Sequence, residues 1–416
     1  MTKRIPVRAN DLRGVGRLAI EATLGLTQLV ENLHHNILRT PGILGTPTQA
    51  PAKGITGLVY KSIRGVTRLV GGGIDVVLKQ LVPIFAQPAE SSAEREAVLA
   101  ALNGVLGDHL AASSNPLAIQ MQLRRAGLAL ALTADALLAA IPKPTGRILL
   151  LVHGLCMNDR QWQRHAHDHG AALAKDAGYT PLYLHYNSGL HVSSNGRAFA
   201  ELIEELLRAW PVPVQELVIL AHSMGGLVSR SACHYAQDAG HDWPRHLSKI
   251  VFLGTPHQGA PLERGGNWVD VILGASPYTA AFARLGKIRS AGITDLRYGS
   301  VLDEDWIDRD RFARAKRKPA FVPLPQGVSC YAIAASIAAK SGTPAKKILG
   351  DGLVPTRSAL GQHDEPQRRL AFPKARQWTG YRMNHMDLLD RKEVYAKLGE
   401  WLAIDSGATA TQRSNS

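Results

Sequence analysis

The sequence predicts an α/β chain, a mostly parallel sheet flanked by helices, with a helical N-terminal extension and one long insertion. Three observations carry that prediction. From Ile148 onward, short fully apolar runs alternate with segments of helical periodicity, the pattern of a parallel sheet with right-handed crossovers. One of those runs, 217–220, meets Ser223 between small residues, and the apolar pattern restarts at Leu227 and Val228 with helical spacing. Further on, Gly350-Asp351-Gly352 and Asn384-His385-Met386 follow, so a serine, an acid and a histidine fall in that order at loop positions.

The chain has 416 residues, enough for two or three domains or one decorated core. Its 45% apolar and 20% charged content is that of a globular protein, and only the ends, above all the Ser-, Ala- and Thr-rich tail 405–416, read as flexible. A net charge of +14 raises the question of a nucleic-acid or anionic-membrane partner. The basic residues are scattered apart from the first 80 residues and the run 309–318, and no nucleic-acid motif accompanies them, so no nucleic-acid partner is expected. Cys156, Cys233 and Cys330 are too few, and odd in number, for a disulfide framework, which fits a reducing cytoplasm. Met1-Thr2-Lys3-Arg4 resembles the start of a signal peptide, but Arg8, Asp11 and Arg13 stand where its apolar core would be. The stretch nearest to a membrane span, 126–142, is interrupted by Asp135 and falls short of about 18–20 uncharged residues. A cytoplasmic protein, soluble or peripherally attached, is expected, with its oligomeric state open.

Residues 1–110 differ in texture from the rest. Val15, Leu18, Ala22, Leu26, Leu29, Val30, Leu33 and Ile37 recur at helical spacing, with polar residues on the other face, which makes an amphipathic helix. A Pro- and Gly-rich linker, 41–53, leads to a second helical segment, 55–85, and a third helix is expected over 90–107. Two readings stand for this extension: a helical module packed on the catalytic domain, or a basic amphipathic surface lying on a membrane or lipid body.

The second domain is expected over 111–404. Ile119, Met121 and Leu123 alternate with polar residues, Arg124–Gly127 can turn, and Leu128, Leu130 and Leu132 alternate again, giving an antiparallel hairpin. Strands follow at 148–152, 181–186, 217–220, 249–253 and 328–334. Ser194 is the expected N-cap of a helix over 196–209, and 393–402 reads as the closing helix. The interval 260–326, with Trp268, Tyr278, Phe282 and Trp306, breaks the rhythm and reads as an inserted cap.

A serine hydroxyl is a weak nucleophile unless a base lies within hydrogen-bond reach, itself held by a carboxylate. Ser223 at the bend, His385 and Asp351 are the candidates. Small residues are needed on either side of a serine where strand and helix pass this closely, and Ala221 and Gly225 supply them. Acyl chemistry further requires amide donors for the developing oxyanion, and Met224 N–H, at a helix start, is one.

Ala221-His222-Ser223-Met224-Gly225 resembles the nucleophile elbow of the α/β-hydrolase superfamily, with alanine in place of the first glycine. His153-Gly154-Leu155 resembles the H-G oxyanion segment of lipases and esterases, and Gly254-Thr255-Pro256-His257-Gln258-Gly259 resembles a T-P-H-x-G segment of many lipases. Across about 117–402 the chain is thus similar to α/β-hydrolase lipases and esterases, the branch that includes bacterial triacylglycerol lipases and GPI inositol-deacylase-like hydrolases. The resemblance implies an α/β-hydrolase fold, attack by Ser223 with His385 as base and Asp351 as its partner, an acyl-enzyme, and Leu155 N–H as second oxyanion donor. It implies hydrolysis of a carboxylic ester without fixing which one, and no cofactor or metal is expected; the apolar cap and the amphipathic extension point to a lipid-like or medium acyl substrate. Two other functions stay open: acyl transfer to an alcohol or amine by the same residues, and a non-catalytic scaffold or lipid-inclusion protein on the same fold.

Other residues receive structural readings. His222 points away from the serine and His257 fixes a loop. His363 lies too soon after Asp351 for a strand to intervene, Asp303 and Asp305 sit solvated in the cap, and Cys156 packs near the oxyanion loop.

Overall fold

An eight-stranded sheet, ordered β2-β1-β4-β3-β5-β6-β7-β8, runs through the computed structural model, which describes residues 93–260, 290–307, 318–339 and 350–403. The sequence expectations for 1–92, for most of the cap, for the basic run up to residue 317 and for the tail 405–416 lie outside the described residues. Of the described residues, 93–99 and 109–118 fall in one compact unit and all others in a second, which carries the whole sheet.

In chain order the elements are α1 (Ala93–Ala112), β1 (Gln122–Arg125), β2 (Leu128–Ala129), α2 (Ala134–Ala140), β3 (Arg147–Val152), α3 (His169–Ala177), β4 (Thr180–His185) and α4 (Val192–Ala209). There follow β5 (Glu216–His222), α5 (Met224–Asp238), β6 (Leu247–Leu253), α6 (Ala291–Tyr298), β7 (Ser329–Ser336), α7 (Thr356–Ala359), β8 (Gln377–Tyr381) and α8 (Lys392–Ala403). In the first unit, Asn115 N–H on the Leu110 carbonyl (2.8 Å) helps close the end of α1.

β1 pairs antiparallel with β2 and β4, and every pairing from β4 to β8 is parallel. The central strands are continuous aliphatic runs because both faces of the sheet are covered: Ile148–Val152 and Leu217–Ala221 are all fully buried. Each such Leu, Ile or Val stabilises the fold by about 1.5–3 kcal/mol through the surface it removes from water. Parallel register brings the carboxyl ends of β3, β5 and β6 together, with Val152 opposite Ala221 and Ala221 opposite Phe252.

The structure corrects two expectations. Helix α4 starts at Val192, with no cap from Ser194; its first N–H is taken instead by Asp295 Oδ2 at 2.8 Å, a carboxylate brought from α6 by tertiary folding. Asp305 is buried, and its carboxylate accepts the Val301, Leu302 and Ala320 amides, so a local turn replaces solvent as its partner. Elements α3, α6 and β8 go beyond the sequence reading. No helix among the described residues is long and apolar enough to cross a membrane.

Candidate active site

Between β5 and α5 the backbone turns in a single residue. Ser223 adopts φ +54° and ψ −124°, a conformation that costs a residue with a side chain about 1–3 kcal/mol. Neighbouring backbone holds it there: Ser223 N–H donates to the Leu253 carbonyl (2.8 Å), and Gly226 N–H to the Ser223 carbonyl (3.1 Å). Gly225 is required by space, since a Cβ there would lie 2.4 Å from the Val152 oxygen and 2.6 Å from that of His153. Ser223 is buried, and its Oγ has no hydrogen-bond partner among the described residues.

The acid arrives after β7. Gly350, at φ +50°, closes a turn in which a Cβ would meet the Val354 oxygen at 1.9 Å. Within that turn Asp351 Oδ1 accepts the Leu353 and Val354 amides at 2.9 and 2.7 Å, which leaves Oδ2 for His385 Nδ1 at 2.7 Å. The carboxylate fixes the imidazole tautomer: Nδ1 carries the proton and Nε2 is the basic nitrogen. His385 begins the 3-10 turn His385–Leu389, capped by Asn384, whose Oδ1 accepts the Met386 and Asp387 amides while Asp387 accepts Asn384 N–H. Its own N–H donates to the Asp351 carbonyl (3.2 Å), and its carbonyl faces His222 Nε2 at 3.3 Å. The imidazole lies over Gly254, the residue after the Leu253 that accepts Ser223 N–H; a Cβ on Gly254 would be 3.0 Å from His385 Cε1.

The segment after β3 passes beside the serine, since a Cβ on Gly154 would lie 3.0 Å from Ser223 Cβ. Leu155 follows within that segment, and Met224, as the first residue of α5, has an amide with no acceptor inside its helix. The His153 ring faces the Gly154 carbonyl through Nδ1 at 2.9 Å, so that nitrogen carries the proton. Tyr186 stacks on the same ring at 4.3 Å and donates its hydroxyl to the His153 carbonyl (2.8 Å). Burial lowers the His153 pKa to about 3 and keeps the ring neutral.

Ser223, Asp351, His385, Met224 and Leu155 therefore gather at the carboxyl ends of the central strands, and the other singled-out residues do not join as reactive groups. His222 is fully buried, held neutral by desolvation, and supports the His385 carbonyl. His257 is buried between Phe252 and Phe372, at 4.8 and 5.4 Å. His363 turns inward on its own loop, where Nδ1 accepts Glu365 N–H at 3.0 Å. Asp303 pairs with Arg197. Burial pushes the Cys156 thiol up to about 12, which leaves it protonated and unreactive. Tyr186 and Ser188 escape sequence reasoning; the only signal for them is the polar stretch Asn187-Ser188 directly after an apolar strand. Among the described residues no group of three or more His, Cys, Asp or Glu side chains is placed to hold a metal.

Comparison with known proteins gives one family match and several structural likenesses. The family model described as a PGAP1-like alpha/beta domain matches residues 143–324, a span that holds β3 to β6 with Ser223 and ends before Asp351 and His385. No curated protein matches the sequence. A lipase of Bacillus licheniformis in mature form is 16% identical, with 63% of this chain and 94% of that chain covered at a TM-score of 0.42. EstA from Clostridium botulinum is 11% identical over 62% of this chain and 88% of that one, with a TM-score of 0.38. Lipase B of Aspergillus fumigatus is 12% identical over 83% of this chain and 75% of that one, also with a TM-score of 0.38. The parallel sheet, the strand–serine–helix turn at its centre and the PGAP1-like match together show the α/β-hydrolase fold that the sequence resembles.

Proposed function

We propose that the chain is a serine hydrolase of the lipase and esterase kind, cleaving carboxylic esters through an acyl-enzyme. The observation that supports this reading most is the Asp351–His385 pair, fixed at 2.7 Å and set beside the strained turn that carries Ser223. His385 Nε2 takes the Ser223 hydroxyl proton as Oγ attacks the ester carbon, and the carbonyl oxygen becomes an oxyanion facing the Met224 and Leu155 amides. Collapse of the tetrahedral species breaks the ester C–O bond, and the departing alcohol takes the proton from His385. Water then attacks the acyl-enzyme, gives a proton to the same nitrogen, and releases the acid as that proton returns to Ser223. Asp351 stays ionised throughout and stabilises the imidazolium.

Ser223→Ala is expected to lower turnover of a p-nitrophenyl ester by a factor on the order of 10^4–10^6 with the melting temperature unchanged. Retained turnover would overturn the assignment. The apolar composition of the 260–326 insertion and the amphipathic pattern of the N-terminal extension favour an ester with a lipid-like or medium acyl chain, and kcat/KM across p-nitrophenyl esters of graded length is expected to rise beyond acetate; a maximum at acetate would count against it.

A further inference from the structure

The Leu155 N–H lies in the peptide plane that joins Gly154 to Leu155, and its direction is held by that plane together with the next one. The plane joining Gly154 to Leu155 is held at its carbonyl by His153 Nδ1–H (2.9 Å). The plane joining Leu155 to Cys156 is held at its N–H, which donates to Ser188 Oγ at 3.0 Å. Cys156 stands at φ +58°, a left-handed conformation that a residue with a Cβ leaves unless neighbours oppose it. The Ser188 hydroxyl opposes it directly.

Ser188 is itself fixed. It follows β4, is 1% exposed, and sits between anchored neighbours. Asn187 Oδ1 accepts Gly189 N–H at 3.0 Å, Asn187 Nδ2 donates to the Gly107 carbonyl at 2.9 Å, and Asn195 Nδ2 donates to the Asn187 carbonyl at 3.0 Å. The hydroxyl is thus delivered by a rigid platform to one particular amide, three backbone bonds from the Leu155 nitrogen.

We propose that Ser188 is a positioning residue for the ester chemistry at Ser223: by accepting Cys156 N–H it holds the Leu155 amide toward the oxyanion. The assignment rests on the hydrolase reading given above. A donor displaced by a fraction of an ångström loses most of its effect on the transition state and little of its effect on substrate binding. Ser188 therefore acts on kcat.

The test uses the full chain and compares wild type with Ser188→Ala, Ser188→Cys and Ser223→Ala. Steady-state kinetics on p-nitrophenyl butyrate, melting temperature and inhibition by a trifluoromethyl ketone, which forms a tetrahedral oxyanion, are the readouts. Ser188→Ala is expected to lower kcat about 10- to 100-fold, below the 10^2–10^3 of removing a donor outright, with KM within about twofold. The ketone should weaken by a similar factor. Ser188→Cys, which keeps the shape but offers a weaker acceptor, should fall in between, and it serves as the main variant if the alanine protein does not fold. Wild-type kcat in Ser188→Ala or Ser188→Cys beside an inactive Ser223→Ala overturns the Ser188 assignment alone; so does a raised KM at unchanged kcat. Wild-type turnover in Ser223→Ala removes the hydrolase reading and this assignment with it.

Discussion

The serine turn and the acid–base pair reach the same end of the sheet by opposite means. Ser223 is held by crowding: one residue reverses the chain in a strained conformation, and Gly225 packs so tightly against β3 that no side chain fits. Asp351 and His385 are held by saturation: both carboxylate oxygens are occupied, and Asn384 caps the turn that carries the base. The first arrangement is written into neighbouring residues, whereas the second is assembled from loops far apart in the chain. Crowding resists distortion sterically, and saturation resists it one hydrogen bond at a time, so the two sides should fail differently when altered.

Short of removing the Ser223 hydroxyl itself, the largest expected effect is on the saturated side. Asp351→Asn keeps the shape but offers His385 the wrong hydrogen-bond partner, and kcat should fall by about 10^4 with little change in folding; a loss under tenfold would show that the carboxylate does not set the tautomer. On the crowded side, Gly225→Ala drives a methyl group into the Val152 carbonyl and should cost about 3 kcal/mol of stability, read from urea midpoints. An alanine variant as stable as wild type would mean that the contact relaxes freely.

Acid titration sharpens the contrast further. Burial lowers the His153 pKa to about 3 and that of His169 to about 4, and it holds His222 and His257 well below the usual imidazole value. The unfolded chain binds protons below about pH 6.5 that these native rings refuse, so stability present above that pH is lost as pH falls toward the native values. Each ring contributes about 1.4 kcal/mol per pH unit over that window. His153 and His222 adjoin the Gly154 and Ser223 turns, while His169 supports the base turn through the Leu388 carbonyl at 3.0 Å. Unfolding free energies equal at pH 6.5 and pH 5 would refute neutral burial. The smallest effect is expected from Asn384→Ala, which removes the cap before His385 at about 1 kcal/mol and should slow turnover several-fold; unchanged kinetics would mean that the turn holds the base without its cap.

The same contrast explains what sequence reading reached. The serine turn needs an aliphatic strand, small flanking residues and a helix start, all within 217–228, and each leaves a local mark. The Gly350-Asp351-Gly352 turn and the Asn384 cap are also local, so the acid and base stand out once the strands are placed. Edge strand β8, Gln377-Trp378-Thr379-Gly380-Tyr381, has no apolar run because only one of its residues is buried. Helix α3 starts in a histidine-rich stretch whose N-cap, Asp168, becomes evident only when its carboxylate meets Ala171 N–H at 2.8 Å. The start of α4 depends on Asp295, more than 100 residues downstream, and the loop after β4 acts through Cys156, 32 residues upstream. Such partners leave no periodicity, so no windowed reading of the chain can find them.

His385 is tied at three points: its ring to Asp351, its N–H to the Asp351 carbonyl, and its carbonyl to His222. A base anchored through side chain and backbone alike cannot swing out of line without unzipping the whole corner. In the reaction proposed above, its proton relay would be a fixed station, permanently set to receive and return, and any timing in the cycle would have to come from the approach and departure of substrate.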